Sequence, residues 1–356
     1  MQNISNFSEK SLSNIKAAVA AIKEYGSLRS ASEALGIAKS TLQDRVAKGK
    51  ELFGNNGEVR VCAAPLELPH IPTGAVDTKV LIDHLAASYE LKAAKAKSTR
   101  WMKIKAPEDA PIGIAIWGDP HLDNPGTNWS LLREHALICK ETPGIYGLNI
   151  GDTTDNWVGR LKELYSRSEV SREQADTLVK WFLRDSGINW FLWLMGNHDL
   201  WNEGEALLRA HNVNKILMED WGAQFQLVFP NGRACRIDAR HDFKGHSMWN
   251  NLHAMTKAAA MEDPAHLYVS GHKHSWALHQ EENASKDFVF WLARARGYKF
   301  LDDYALQLGH RSQEFGATIL AIVDPTATRE CNFVQCYADL EQGADVLTFL
   351  RKRAGV

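Results

Sequence analysis

Five short motifs rich in Asp, Asn and His, each preceded by an apolar run of strand length, constrain this chain more than any other feature. The apolar runs cover residues 112–117, 145–150, 190–195, 235–240 and 267–270, and they contain strand-forming residues. Because strands of an α/β sheet place their carboxyl ends along one edge, we expect the polar residues that follow them to lie together. The motifs are Asp119-x-His121, Gly151-Asp152-x-x-Asp155, Gly196-Asn197-His198-Asp199, His241 and Gly271-His272-x-His274.

In this order the motifs resemble those of the calcineurin-like metallophosphoesterase superfamily. Any one of them would be weak evidence, but four complete motifs and an isolated histidine in the same order are specific. The resemblance covers residues 112–275 and extends to the apolar run Thr318–Val323. It implies an α/β fold, a four-layer α/β/β/α sandwich of two facing mixed sheets, and an enzyme that hydrolyses phosphoric esters with metal ions.

The resemblance also implies a binuclear metal site in which Asp152 bridges the two ions. Two divalent ions about 3.5–4 Å apart repel each other, so a shared carboxylate is needed between them. Carboxylate, imidazole and amide ligands favour Mn, with Fe, Zn, Ni or Mg as alternatives. One ion would be held by Asp119, His121, Asp152 and His274, and the other by Asp152, Asn197, His241 and His272.

Three further residues of the motifs are expected to act without binding metal. The resemblance places His198 over the phosphate, where it stabilises charge or protonates the leaving oxygen. Asp199 would hydrogen-bond the His198 ring and set its tautomer, and Asp155 would support its loop. Two histidines are candidates for the isolated position: His241 directly follows its strand, and His246 lies five residues later.

Residues around the motifs are candidates for contacts with the substrate. Those after the second motif could equally serve loop packing, and the basic run after the last motif could hold flanking phosphates or form a solvated strand edge. The candidates are Asn156, Arg160, His246, Arg294, Arg296 and Lys299.

The N-terminal segment is predicted to form three helices, Asn14–Tyr25, Ser27–Leu35 and Ser40–Phe53, with glycines after the first two. The tight turn between the second and third helices resembles a helix-turn-helix unit. Its predicted core contains Ala31, Leu35, Ile37, Leu42 and Val46. Residues 1–60 hold nine Lys and Arg against six Asp and Glu, a mild excess that leaves protein contacts as the alternative to DNA. Its candidate DNA contacts are Lys39, Ser40, Thr41, Gln43 and Arg45.

Changes of composition along the chain predict three regions. Residues 1–55 form the helix-turn-helix-like domain, residues 56–108 a linker with a helix, and residues 109–356 the metallophosphoesterase domain. The linker contains a Pro-rich stretch at 64–73 and a helix at 76–97, whose apolar residues fit a connector, a dimerising helix or an ordinary surface helix. Oligomeric state is therefore left open.

The bulk properties narrow the class of protein. The net charge of -2 excludes a polycation that coats nucleic acid, and five cysteines without metal-ligand spacing favour a reducing cytoplasm. Neither a signal peptide nor an apolar run of about 18 residues is present, so no membrane partner is expected. The helix-turn-helix resemblance favours a nuclease or DNA-end-processing enzyme with nucleic acid as partner. The alternatives are a phosphatase or phosphodiesterase acting on nucleotides or other small molecules, and a DNA-binding regulator with an inactive phosphoesterase fold.

Overall fold

The computed structural model describes residues 7–53, 77–283, 288–301 and 315–356. The chain divides into two compact units, residues 1–78 and 79–356, which are described separately. The Pro-rich stretch predicted at 64–73 lies outside the described residues. No helix in the described part of the chain combines the length and apolar character that a membrane crossing requires.

The first unit is a three-helix unit of α1 (Glu9–Tyr25), α2 (Leu28–Leu35) and α3 (Lys39–Phe53). Ser27 caps α2 by accepting the backbone N–H of Ser30, and Gly36 ends that helix with a φ of 64°. The core of the unit is formed by Ala18, Ala21, Ala31 and Leu42, with Ile37 and Val46 packed against it. The prediction that Leu35 belongs to this core is wrong, because the side chain at the end of α2 turns outward and is 38% exposed.

Two elements of the second unit lie in the range that was assigned to the linker. Helix α4 (Thr78–Ser98) contains no buried residue, and its apolar side chains face solvent. Strand β1 (Met102–Lys105) pairs in parallel with Gly222–Val228 and is therefore part of a sheet. The sheet thus begins before residue 109. In this edge strand Lys103 and Lys105 are exposed and alternate with the half-buried Met102 and Ile104.

The remaining elements of the second unit follow in chain order. The helices are α5 (Trp129–Glu141), α6 (Arg172–Lys180), α7 (Asn197–Leu200), α8 (Gly204–His211), α9 (His253–Met261) and α10 (Leu340–Ala354). The strands are β2 (Ile112–Trp117), β3 (Ile145–Asn149), β4 (Trp190–Met195), β5 (Leu217–Asp220), β6 (Gly222–Val228), β7 (Ala234–Arg240), β8 (Leu267–Ser270), β9 (Ala277–Asn283), β10 (Phe288–Arg294), β11 (Thr318–Val323) and β12 (Val334–Tyr337). Short helical turns also occur at Gly159–Arg167, Trp181–Asp185 and Glu330–Asn332.

The strands form two mixed sheets of six strands each. The first sheet has the order β12-β11-β2-β3-β4-β5, and its strands β2 to β5 are parallel. The second sheet has the order β1-β6-β7-β8-β10-β9, and β7, β8 and β10 run parallel within it. Strands β2, β8 and β11 are buried at every position, as expected for central strands covered on both faces.

Three apolar clusters place the layers of the second unit. One lies between the sheets and includes Ile114 and Ile116 from β2 and Phe225 and Ile237 from the facing sheet. A second cluster packs α5, α6 and α10 on the outer face of the first sheet, and a third packs α9 on the outer face of the second. The order helix, sheet, sheet, helix confirms the predicted α/β/β/α sandwich.

Candidate metal centre

All five motifs lie at the carboxyl ends of strands on one edge of the sandwich. Strands β2, β3 and β4 of the first sheet lead into the first three motifs, and β7 and β8 of the second sheet lead into the last two. The motif side chains of the two sheets therefore meet at this shared edge. Of the predicted metal ligands, Asp119, His121, Asp152 and His241 are at most 1% exposed.

One half of the centre is built around the Nε2 atom of His241. This atom lies 3.3 Å from Oδ2 of Asp152, 3.1 Å from Oδ1 of Asn197 and 3.0 Å from Nδ1 of His272. The other ring nitrogen of His241 donates to the carbonyl of Ile150 at 2.8 Å. Because that hydrogen bond fixes the ring, Nε2 is the nitrogen presented to the cluster. The four residues predicted to hold the second ion are thus brought together.

The other half of the centre contains His121, Asp119 and His274. Oδ2 of Asp119 lies 4.0 Å from Nε2 of His274, and the rings of His121 and His274 are 5.1 Å apart. His198 also approaches this half, because ligand atoms of His121, Asp152 and His198 lie within 4.8 Å of one another. Asp152 belongs to both halves, the position that a bridging carboxylate must take.

Buried polar atoms without hydrogen-bond partners mark this half of the centre as a place for cations. Both carboxylate oxygens of Asp119, Nε2 of His121 and Nδ1 of His274 are buried and form no hydrogen bond within the described protein. Leaving such atoms unpaired costs about 1–3 kcal/mol each, and more for charged groups. Coordination of a divalent ion would satisfy them, so the residues present fit the expected metals.

The backbone at the centre adopts conformations that side chains rarely take. Nine non-glycine residues in the described chain have positive φ, and four of them are the predicted ligands His121 (41°), Asp152 (54°), His272 (65°) and His274 (46°). Each such residue costs of order 1–3 kcal/mol and persists only where surrounding structure enforces it. Their concentration at one edge indicates that the fold positions these side chains at the expense of stability.

Two motif glycines are required by close packing around the bridging carboxylate. A Cβ atom at Gly196 would lie 2.2 Å from Oδ1 of Asp152, and one at Gly151 would lie 2.6 Å from Nδ1 of His241. Gly151 also has a φ of 113°, which disfavours any side chain. The glycines of the second and third motifs therefore make room for the ligands themselves.

The pKa values of Asp119 and Asp152 are shifted in opposite directions. Burial raises the pKa of Asp119 to about 8, and the negative charge of Asp152 adds to this effect. For Asp152 burial acts in the same direction but is outweighed by the hydrogen bond and charge of His241, so its pKa lies below the ordinary value. Burial likewise opposes the charge of His241, but its hydrogen bond to Asp152 raises the pKa to about 10. The contact between Asp152 and His241 thus favours the charged form of both side chains.

The other three predicted histidine ligands, His121, His272 and His274, favour the neutral form that binds metal. Burial lowers the pKa of His121 to about 4, helped by the positive charge of Lys299. Burial also lowers the pKa of His272 to about 4 and that of His274 well below its ordinary value. Neutral imidazoles are the form that coordinates metal ions.

The partners of His198 and Asp199 differ from those expected. Nδ1 of His198 donates to the backbone carbonyl of Asp155, while the carboxylate of Asp199 accepts the backbone N–H groups of Thr153 (2.9 Å) and Gly196 (3.0 Å). In the structure Asp199 therefore braces the second and third motifs instead of bonding the His198 ring. The peptide carbonyl, which has only acceptor capacity, takes over the role of fixing the His198 tautomer.

The contact of Asp155 with His121 and the packing of two tryptophans against His198 were not predicted from the sequence. Oδ1 of Asp155 lies 2.7 Å from Nδ1 of His121, so this carboxylate orients a ligand as well as supporting its loop. The His198 ring packs against Trp201, with centroids 4.3 Å apart, and against Trp157 at 5.0 Å. The spacing of Asp155 within its motif was a signal for the first contact, whereas the sequence carries no signal for the tryptophan contacts.

The candidate substrate contacts differ in their positions and in their partners. Asn156 donates its amide to the carbonyls of His198 and Trp201 and accepts from Asn202, so it holds the loop of the third motif. Arg160 and His246 are exposed, and none of the described contacts joins them to the cluster. The last three candidates are buried, which contradicts the alternative of a solvated strand edge: Arg294, Arg296 and Lys299.

These buried cations lie at two sides of the cluster. Arg294 is 3.9 Å from Asp242, the neighbour of His241, and Lys299 is 3.8 Å from Oδ1 of Asp155. Arg296 packs its guanidinium over the ring of Phe300. His241 itself is buried in the centre.

The candidate DNA contacts of α3 lie on the surface of the first unit, with Lys39, Ser40 and Gln43 exposed and Thr41 and Arg45 half-buried.

Neither a family model nor a curated protein sequence matches the chain. Among solved structures it is similar to vacuolar protein sorting 29 from Cryptosporidium parvum, with a TM-score of 0.36 and 15% identity over 65% of this chain and 100% of that one. It is also similar to the NAD nucleotidase of Haemophilus influenzae, with a TM-score of 0.34 and 10% identity over 65% and 49% of the two chains. For the nuclease MPE of Pseudomonas putida the TM-score is 0.28, with 14% identity over 63% and 87%.

The fold assignment rests on the strand order and on the positions of the motifs. Two facing six-stranded sheets with outer helices on both sides form the α/β/β/α sandwich that the sequence predicted, with the five ordered motifs at one edge. The predicted fold is therefore confirmed, and the centre contains buried Asp and His clusters that could bind metal ions.

Proposed function

We propose that this protein is a binuclear metal-dependent phosphoesterase that cleaves phosphodiester bonds, with nucleic acid as its substrate. The observation that carries the reaction class is that Asp152 belongs to two clusters of ligand atoms, one with His241 and His272 and one with His121 and His198. Asp119, Asn197 and His274 complete the two ligand sets. When bound, two divalent ions would supply Lewis-acid charge to the phosphoryl oxygens and acidify a water molecule.

His198 is the residue of the chain proposed to act on the leaving group. Its Nδ1 proton is held by the carbonyl of Asp155, so its Nε2 faces the centre, 3.9 Å from Oδ2 of Asp152. An imidazolium in this position can hydrogen-bond a phosphate oxygen and transfer a proton to the leaving oxygen. Packing of its ring between Trp157 and Trp201 fixes the direction in which Nε2 points.

Metal content and turnover of a generic phosphodiester test the reaction class. We expect the purified protein to bind two divalent ions and to hydrolyse bis-p-nitrophenyl phosphate with Mn added. Asp152→Asn should lose metal binding and hydrolysis. Asp220→Asn, which makes the same replacement at an exposed position on an edge strand, should retain both. A wild-type protein that binds no metal and releases no nitrophenol would exclude the enzyme and favour an inactive phosphoesterase fold.

The nucleic-acid part of the proposal is supported by the three-helix unit. A short α2, a tight turn at Gly36 and an α3 whose first residues face solvent are the parts that a helix-turn-helix uses to reach the major groove. A unit of this kind joined to a phosphoesterase would bring the catalytic centre to DNA. The runner-up, hydrolysis of nucleotides or other small molecules, needs no such unit.

Matched charge changes on the three-helix unit test the targeting. The double variant Lys39→Ala with Arg45→Ala removes two positive charges from α3, and Lys10→Ala with Arg29→Ala removes two from α1 and α2. We expect the α3 pair to weaken binding to duplex DNA at least tenfold in fluorescence anisotropy at fixed salt, and the control pair to weaken it less. Equal weakening by both pairs, or none, would remove DNA targeting and leave the runner-up.

A further inference from the structure

A cavity of about 150 Å³ lies beside the metal centre and is not explained by metal binding. Asp155 belongs to both places, because it lines the cavity while its Oδ1 contacts Nδ1 of His121. Other lining residues include Asp123, Trp157, Leu164, Tyr165, Arg167 and Leu301. Two aromatic rings, two carboxylates, a guanidinium group and two leucine side chains thus line a space next to the predicted metal centre.

We propose that this cavity, termed the base pocket, holds the base of the nucleoside whose phosphate is cleaved. The proposal rests on the phosphoesterase function proposed above and narrows its substrate class to nucleoside esters. Free nucleotides and the ends of nucleic-acid strands carry the same recognised group.

Trp157 supplies the stacking surface of the base pocket. Its ring meets the His198 ring edge-on with centroids 5.0 Å apart, and Nζ of Lys299 lies 5.4 Å from its centroid. These contacts hold the ring in place, while the side chain remains half-buried and lines the cavity. Stacking of a base on a fixed aromatic ring contributes about 1–3 kcal/mol.

Tyr165 and Leu301 form the outer side of the base pocket. Tyr165 is 41% exposed and Leu301 is 70% exposed, although both line the cavity. Large apolar side chains exposed next to a concave site are typical of ligand contacts. A planar base between them and Trp157 would cover apolar surface that water now contacts.

Asp123 adds polar recognition at the floor of the base pocket. Its Oδ1 accepts the backbone N–H of Asp155 at 2.7 Å, and the residue is only 7% exposed. A carboxylate retains acceptor capacity beyond one hydrogen bond. Exocyclic amino groups of adenine, cytosine or guanine are donors of matching chemistry, whereas a lipid or sugar phosphate offers no planar donor of this kind.

The base pocket also lies within reach of the bond to be broken. Trp157 touches His198, and Nε2 of His198 is 3.9 Å from Oδ2 of the proposed bridging Asp152. A nucleoside with its base against Trp157 therefore directs its phosphate towards the cluster past His198. The proposed substrate class, a nucleoside ester, follows from the position of the base pocket next to His198 and Asp152.

Paired chromogenic substrates test the base pocket in the full-length, Mn-loaded protein. The probes are the p-nitrophenyl ester of adenosine 5′-monophosphate and methyl p-nitrophenyl phosphate, which share the leaving group, whereas only the first carries a nucleoside. We expect wild type to prefer the adenosine ester in kcat/KM by at least tenfold. Tyr165→Ala should reduce that preference about tenfold, mainly through KM for the adenosine ester. Trp157→Ala should reduce the preference as well and also lower kcat for both esters, because the Trp157 ring packs against His198, and Trp157→Phe should restore part of both.

The control is Leu137→Ala, an exposed apolar change on α5 away from the cavity, which should leave both substrates unaffected. No preference in the wild type, or equal losses for both substrates in the Tyr165 variant, would refute the base pocket while hydrolysis of the methyl ester upholds the phosphoesterase. Failure to hydrolyse either ester would refute both. An adenylate-terminated oligonucleotide run beside the adenosine ester distinguishes strand ends from free nucleotides as the source of the base.

Discussion

Oδ1 of Asp155 lies 2.7 Å from Nδ1 of His121, and both atoms are buried beneath the metal centre. The second oxygen of Asp155 accepts from the amide of Asn124 at 2.6 Å. The carboxylate is therefore held on one side and holds the imidazole on the other. Burial opposes the charge of Asp155, but the contact with His121 keeps its pKa below the ordinary value. This arrangement fixes the His121 ring so that Nε2 is the nitrogen available to a metal ion.

Removing Asp155 should therefore weaken one of the two metal sites. We expect Asp155→Ala to reduce the affinity for one divalent ion about 10–100-fold, as loss of a carboxylate partner of a ligating histidine does elsewhere. Chelator competition followed by elemental analysis measures it. Asp155→Asn should be milder, because the amide oxygen can still accept from Nδ1.

A second His–Asp pair provides the control for this change. Nε2 of His211 lies 2.7 Å from Oδ1 of Asp176, remote from the motif residues in the chain and partly exposed. Asp176→Ala should leave both metal sites at wild-type affinity. If the Asp176 and Asp155 variants lose metal equally, the effect is one of general stability and the orienting role of Asp155 is wrong.

Replacing His198 by Ala separates a role in catalysis from a role in metal binding. We expect His198→Ala to lower kcat for bis-p-nitrophenyl phosphate about 10²–10⁴-fold, the range for loss of a general acid, while two ions per chain remain bound. Because ligand atoms of His121, Asp152 and His198 lie within 4.8 Å of one another, the opposite result has a clear meaning. Loss of one ion would make His198 a ligand in place of Asp119 or His274.

The two histidines after β7 form a natural matched pair. His241 is buried against Asp152, Asn197 and His272, whereas His246 is exposed five residues later. We expect His241→Asn to lose one metal ion and nearly all activity, and His246→Asn to retain both ions and wild-type kcat. Metal content and steady-state kinetics of the pair measure this. Activity lost only in the His246 variant would reverse the assignment of the isolated histidine.

Strand positions and motif residues of the second unit could be predicted because local patterns determine them. The apolar runs at 112–117, 190–195, 267–270 and 318–323 coincide with β2, β4, β8 and β11. Since polar residues directly after such strands gather at one edge, the predicted ligands could be grouped before their positions were known. The order of the motifs also predicted which residues far apart in the chain lie together, which hydrophobic periodicity alone does not indicate.

Contacts that depend on loop conformation could not be predicted in this way. Asp199 bonds the backbone of Thr153 and Gly196 instead of the His198 ring, because the loops approach each other through residues with positive φ such as Asp152. Sequence carries little signal for that conformation in Asp or His. Burial of Lys299 was missed for a related reason. A charged side chain is expected on the surface unless its partner, here Asp155, is known.

The stability of the second unit should fall below neutral pH because of His266. Its Nδ1 accepts the backbone N–H of Arg236 at 2.9 Å, and its ring packs edge-on against Phe333. Burial lowers the pKa of His266 to about 4, and the charges of Arg236 and Arg233 add to the effect. Between about pH 6.5 and pH 4 the unfolded chain thus binds a proton that the folded chain does not.

The sign of the effect follows from that difference in proton binding. The contribution of His266 is fully present above pH 6.5 and is lost as pH falls towards 4, with a slope of at most about 1.4 kcal/mol per pH unit. Urea unfolding of chelator-treated protein at pH 7.0 and 5.0 measures it. We expect His266→Gln to be less stable at pH 7.0, where it leaves the Arg236 contact weakened, yet to lose less stability than wild type between the two pH values. His246→Gln, an exposed change, should keep the wild-type difference, and an unchanged difference in His266→Gln would show that His266 does not determine it.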